Sequence, residues 1–189
     1  FAFIENDRNG TLVKRTAGLD AASGLTSYAD IGVTLESALA DPQVAGILLD
    51  IDSPGGEASG SFELARRVRE GAAMKPIWAI ANDSAFSAAY AIASAADRVI
   101  ISETGGVGSI GVIALHIDQS IKDAHDGYRY TAVTAGSHKN DFSPHEPLSD
   151  AAKAELQAEV NRLYGLFVDH VAVMRRHTAE QVRLTEAGL

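Results

Sequence analysis

Asp52-Ser53-Pro54-Gly55-Gly56 follows a near-continuous apolar run, Val44 to Ile51, which places two glycines at the carboxyl end of a buried strand. Open α/β sheets present ligands there, and glycines let backbone N–H groups face a cavity with no side chain between. Such donors suit an anion or a developing oxyanion. A tight strand-to-helix turn that merely needs glycine accounts for the same residues, so the motif requires a partner. Ser87 supplies one. It follows Asn82-Asp83-Ser84 at the next strand-to-helix junction, with its hydroxyl and the N–H of Ala88 both at a helix N-terminus. Ser84 and Ser94 are rivals: Ser84 fits the N-cap itself, and Ser94 falls two turns along, where a hydroxyl commonly bonds back to a carbonyl.

The elements that must position these residues follow from periodicity. Ile31, Leu35, Ala38 and Leu39 recur at helical spacing from Tyr28 to Ala40, and Asp41-Pro42 closes that helix. Ser61 to Ala73 repeats the pattern through Phe62, Ala65 and Val68, and Ile77 to Ala81 is a short strand. Ala85 to Ala96 holds seven alanines in twelve positions, which predicts a helix packed close to its neighbours. Asp97 to Ser102 reads as a strand, Gly105 to Val112 as a glycine turn leading into another that carries His116, and Tyr128 to Thr134 as the next. Gly136 to Pro147 keeps no period and reads as a loop. Ser149 fits the N-cap of a long helix reaching Arg176, with Leu156, Val160, Leu163, Phe167 and Val171 in one stripe, and Thr178-x-x-Gln181 spells a capping box. Residues 1–27 read as an irregular lead-in with one strand around Leu12 and Val13 and little function. Strands alternating with crossover helices predict one α/β domain over residues 1–189 with a largely parallel sheet.

Composition narrows the chemistry. Among 189 residues, 16 Lys and Arg face 25 Asp and Glu, for a net charge of −9, so no basic footprint for a nucleic-acid backbone or an anionic membrane is expected. The absence of cysteine removes disulfides, thiolate metal sites and a cysteine nucleophile. No apolar run approaches the roughly 18 residues of a membrane span, and Phe1 to Gly10 carries Glu5, Asp7 and Arg8, unlike a signal peptide. The six histidines show no metal-ligand spacing, so neither a metal nor a cofactor is predicted.

Three motifs in order carry a family resemblance: DIDSPGG at Asp50 to Gly56, the alanine-rich SAAYAIASAAD at Ser87 to Asp97, and TGGVGSIGV at Thr104 to Val112. Together, from about Val44 onward, they resemble the S49 serine peptidases, the signal peptide peptidase A relatives on the ClpP/crotonase fold. SAAY, where bacterial members have serine followed by Gly-Gly, is similar to the phage branch of minor capsid protein C and head maturation proteases. The chain stops at Leu189 where relatives continue, so a truncated C-terminal end is expected.

The resemblance implies a Ser/Lys dyad. Ser87 matches the nucleophile, Lys139 in GSHKNDFSP the general base, and Ser109 in GSIG a serine that orients the lysine. Gly56, with Gly55 as a candidate beside it, and Ala88 match the oxyanion donors. A lysine accepts the serine proton only when neutral, which desolvation favours; the role also requires that Asp141, two residues on, does not pair with Lys139. Taken by itself, Lys139 is an ordinary solvated loop lysine. A histidine base remains an alternative through His116, His138 or His145.

The implied activity is endopeptidase cleavage of capsid or scaffold proteins, with the substrate as an extended strand, the enzyme a homo-oligomer contacting through the long helix, and the location the host cytoplasm or assembling head. Alternatives are a fragment of a signal peptide peptidase freed of a membrane anchor, a crotonase-type acyl-CoA enzyme using the same two amides, and a non-catalytic assembly protein. Neither a carboxylate placed by either turn for proton transfer nor a basic cluster for nucleotide phosphates is found to support the acyl-CoA reading.

Overall fold

The computed structural model describes residues 2–5, 10–15 and 24–189. The chain gathers into two compact units, Phe1–Gly111 with Tyr164–Leu189, and Val112–Leu163.

The first unit is built on a five-stranded parallel sheet. Its strands are β1 (Ala2–Glu5), β4 (Ile47–Ser53), β5 (Ile77–Phe86), β6 (Arg98–Ile101) and β7 (Gly106–Gly108), in the order β1-β4-β5-β6 with β7 also on β5. A second, two-stranded parallel sheet pairs β2 (Thr11–Val13) with β3 (Leu25–Ser27). Two departures from expectation stand out here. The described part of the lead-in contributes three strands where one, around Leu12 and Val13, is expected, because β1 finds β4 and β3 finds β2 through pairings that no local pattern announces. β5 also runs five residues past Ala81, since the polar Asn82-Asp83-Ser84 stretch leads to Ala85 against β4 and Ser84 to Phe86 against β7.

The crossovers are α1 (Tyr28–Ala40), α2 (Ser61–Ala72) and α3 (Ala88–Ser94). Ser27 caps α1 by accepting from the amides of Ala29 and Asp30 at 3.1 and 3.4 Å. α3 is buried along nearly its whole length, as its alanines imply: Ala89, Ala91, Ala93 and Ser94 are each at most 1% exposed. The alanines join Leu35, Ile47, Leu49, Leu64, Val68 and Ile77 in the main core, or in a second cluster with Phe167, Val168, Val171 and Val182. Each large aliphatic there contributes roughly 1.5–3 kcal/mol of transfer free energy. The second cluster joins the end of α5 (Asp150–Arg175) and α6 (Ala179–Arg183), where Thr178 and Gln181 form the expected capping box. Phe62 of α2 meets Phe167 edge-on at 5.8 Å.

In the second unit, α4 (Ser120–His125) precedes an irregular segment and the first half of α5, which Ser149 caps through the Ala152 amide at 3.1 Å. The strands expected over Val112 to Ile117 and Tyr128 to Thr134 do not form. Their apolar side chains alternate but face solvent, with Ile113, Leu115, Ile117 and Val133 each more than 70% exposed. Alternation specifies a strand only when a neighbouring edge takes its backbone groups, and neither segment pairs with a described strand. No helix among the described residues is long and apolar enough to cross a membrane.

Candidate active site

β5 ends at Phe86 and α3 begins at Ala88, so Ser87 alone makes the turn, with φ 50° and ψ −122°. That positive φ is rare for a side chain bearing a Cβ, and a serine held there projects its hydroxyl from a sharp strand-to-helix elbow. Three neighbours hold it. Its N–H donates to the Gly108 carbonyl at 2.9 Å, its carbonyl accepts from Ala91 N–H at 3.0 Å, and Gly55 lies directly against its β-carbon. Ser87 Oγ makes no hydrogen bond to any described residue, and the side chain is partly exposed. Ser84 and Ser94 are engaged instead: Ser84 Oγ donates to Asp52 Oδ1 at 2.8 Å, and the buried Ser94 Oγ to the Ala91 carbonyl at 2.8 Å.

The Ser53-Pro54-Gly55-Gly56 turn is held from within and from a distance. Ser53 Oγ accepts from Gly55 N–H at 3.1 Å and donates to the Gly10 carbonyl at 2.8 Å. Leu12 of β2 then straps the turn: its N–H donates to the Gly55 carbonyl and its carbonyl accepts from Glu57 N–H, both at 2.8 Å. A β-carbon on Gly56 would fall 1.9 Å from the Leu12 carbonyl oxygen, so only glycine fits there. Tyr28 reinforces the far side by donating its hydroxyl to the Glu57 carbonyl at 2.7 Å, and burial pushes its ionisation well up. With the Gly55 amide committed to Ser53, the amides of Gly56 and Ala88 meet no acceptor among the described residues.

Sequence reasoning missed the roles of Ser53 and Leu12. Ser53 carried a readable signal, a hydroxyl two residues before a glycine amide, as in a serine turn. The Leu12 strap had none, since Leu12 and Gly56 lie 44 residues apart.

Ser109 follows the carbonyl that holds the Ser87 amide, itself at φ 53°, with its own N–H donated to the Gly188 carbonyl at 3.0 Å. Gly55, Gly56, Ser87, Ala88 and Ser109 thus all belong to the first unit.

Lys139 lies in the second unit, in a turn where its N–H donates to the Gly136 carbonyl at 3.3 Å, and its side chain is exposed. Asp141 does not pair with it. The Asp141 carboxylate accepts from His138 Nδ1 at 2.8 Å, and among the described residues no ion pair involves Lys139. His116 Nε2 lies 2.9 Å from the Ser143 carbonyl on an irregular segment rather than on a strand face. His145 stacks on Tyr130 at 3.6 Å between centroids and sets Nδ1 2.8 Å from Asp123 Oδ2. One cluster among the described residues has cation-donor types, His138, Asp141 and Glu155, with one donor atom from each within 4.8 Å of the others. Its imidazole is hydrogen-bonded to Asp141 and 3.4 Å from Glu155, an ion-pair arrangement in which the ring proton stands where a cation would.

A parallel-sheet α/β fold carries a serine at a strained elbow beside the Gly56 and Ala88 amides, which meet no acceptor among the described residues. Residues 69–187 match peptidase family S49, and the chain belongs to that family. It is 38% identical over 180 residues to the head-tail preconnector protein GP5 of Enterobacteria phage P21, covering 95% of this chain and 36% of that protein. Identity is also 38% over 181 residues to the capsid assembly protease C of Escherichia phage lambda, covering 96% of this chain and 41% of the relative. The chain therefore spans about two fifths of the length of these relatives. Among solved structures, a mutant of the 1510-N membrane-bound stomatin-specific protease shares the fold, with a TM-score of 0.52 at 12% identity over 96% of this chain and 65% of that one.

Proposed function

We propose that this chain is the peptidase domain of a serine endopeptidase that cleaves capsid or scaffold proteins in an assembling phage head. The observation that supports it best is the Ser87 elbow, a strained backbone that the Gly108 carbonyl and the missing Gly55 side chain together accommodate. Strain of roughly 1–3 kcal/mol persists where the surroundings over-determine it, and nucleophile turns are such places.

In this mechanism Lys139, as the neutral amine, takes the Ser87 proton while Oγ attacks the peptide carbonyl carbon. The Gly56 and Ala88 amides hold the tetrahedral oxyanion, the protonated amine returns its proton to the leaving nitrogen, and water hydrolyses the acyl-enzyme. Ser109 hydrogen-bonds the Lys139 amine. The substrate binds extended, through backbone hydrogen bonds. Lys139 is exposed in the single chain, so the desolvation its role requires comes from substrate or from a second copy of the chain. A homo-oligomer belongs to this reading, with contact through the end of α5, where Val173 is exposed and Val171 buried, and through the exposed Ile113, Leu115 and Ile117.

A second reading has one specific support. The Asp123–His145 pair has the carboxylate–imidazole geometry that orients a histidine base. Intact-mass spectrometry after treatment with an alkyl fluorophosphonate separates the two. The expected result is a single adduct on the wild type, absent in Ser87→Ala and in Lys139→Ala. Labelling that survives Lys139→Ala and vanishes in His145→Ala would transfer the base to the histidine. No adduct on the wild type would remove the peptidase reading.

A further inference from the structure

A base lysine followed two residues later by an aspartate is an arrangement that ought to fail. A carboxylate within about 4–6 Å of an ammonium favours the charged form by one to three pKa units, and an amine that stays charged cannot accept a proton. In a loop without regular structure, residues two apart readily turn toward each other. Here they do not, and the reason is the residue on the other side of Lys139.

His138 faces both carboxylates of its neighbourhood. Its Nδ1 donates to Asp141 Oδ2 at 2.8 Å within the loop, and Glu155 Oε1 on α5 lies 3.4 Å from the same nitrogen. Asp141 is largely buried, with its side chain 19% exposed, whereas His138 is 62% exposed. The aspartate is thus tucked under the imidazole. The remaining loop carboxylate, Glu146, accepts from the Asn140 side-chain amide, the other immediate neighbour of Lys139. Each acid of this turn is therefore held by a residue flanking the lysine, and Lys139 has no ion-pair partner among the described residues. The same contacts fasten the turn to the first half of α5. The imidazole's pKa is raised, first by its hydrogen bond to Asp141 and then by the charges of Glu155 and Asp141.

We propose that His138 is a positioning residue for the base: by engaging Asp141 and Glu155 it withholds the Asp141 carboxylate from Lys139 and leaves that amine able to lose its proton. This rests on the assignment of Lys139 as the base. Asn140 does the same for Glu146, and the sequence His-Lys-Asn-Asp reads as a base flanked by two side chains that keep acids off it.

The test is the rate of Ser87 labelling by an alkyl fluorophosphonate between pH 6 and 10, which needs no known substrate. In His138→Ala, Asp141 is released toward Lys139; the acid limb of the profile moves up by about one pH unit or more and labelling at pH 7 slows about tenfold. His138→Gln, whose amide can still donate to Asp141, stays within about threefold of the wild type. The double variant His138→Ala/Asp141→Asn recovers the wild-type limb, because the competing charge is gone. A merely structural histidine would give a double variant as slow as the single one, and that result overturns the proposal, as does an unshifted limb in His138→Ala. Thermal melting of each variant separates loss of fold from loss of rate. Slow labelling by EDTA-treated wild type would also overturn it, by making the cluster a metal site. If Lys139→Ala labels as fast as the wild type, the base assignment falls and this inference with it. If Lys139→Ala is slow and His138→Ala is unshifted, the inference alone falls.

Discussion

A β-carbon built on Gly55 would stand 2.7 Å from the β-carbon of Ser87, and the same glycine sits at φ +108°. Two demands meet at one residue. The turn needs a backbone conformation that side chains disfavour, and the elbow needs the space a methyl group would take.

Gly55→Ala should therefore displace the nucleophile while leaving the sheet formed. A misplacement of about 1 Å costs on the order of 100-fold in rate, so fluorophosphonate labelling of Ser87 should slow by about that factor with far-UV circular dichroism unchanged. Labelling at the wild-type rate would mean that the elbow tolerates the shift.

The rival serines give the converse expectation. Ser84→Ala removes a hydroxyl bound to Asp52, and Ser94→Ala one bound to a helix carbonyl. Both variants should label within about threefold of the wild type, with Ser94→Ala less stable by about 1 kcal/mol. Loss of the adduct in either one, with the fold intact by circular dichroism, would reassign the nucleophile.

Tyr28→Phe removes the donor to the Glu57 carbonyl and leaves that acceptor beneath a buried ring. The expected loss is about 1–2 kcal/mol in urea unfolding, read as a lowered midpoint at unchanged slope. An unaltered midpoint would show that water replaces the phenol at no cost.

His170 titrates against the core. Its Nε2 lies 2.8 Å from the Ala91 carbonyl, and its pKa is lowered, chiefly by burial, with Arg66 and Arg69 adding to the effect. A depressed folded value means that the neutral ring stabilises the fold above the unfolded pKa of about 6.5, and that this contribution is lost as pH falls through the folded value. The melting temperature of the wild type should drop below about pH 6.5 more steeply than that of His170→Gln. Parallel curves would remove His170 from the acid response.

What could be read beforehand was local. α1 begins and ends where its periodicity and Asp41-Pro42 place it, and the Thr178 capping box is complete, because both signals lie within a few residues of the structure they specify. The elbow position of Ser87 was legible from its junction and its motif, but its positive φ was not, since it depends on Gly108 and Gly55 arriving from elsewhere. The β1 and β3 strands were invisible for the same reason, whereas β2 falls on the strand expected around Leu12 and Val13. Val112 to Ile117 and Tyr128 to Thr134 erred in the other direction: they have strand periodicity but pair with no described strand. The six-residue α4 has too few turns to display a stripe.

The bond from Ser109 N–H to the Gly188 carbonyl closes the turn that holds the Ser87 amide. Ribosomes deliver Ser87 about a hundred residues before Gly188, so a nascent chain carries its hydroxyl long before the turn behind it is closed. The order of synthesis thus sets a delay of about a hundred residues between the appearance of Ser87 and the closing of the turn behind it.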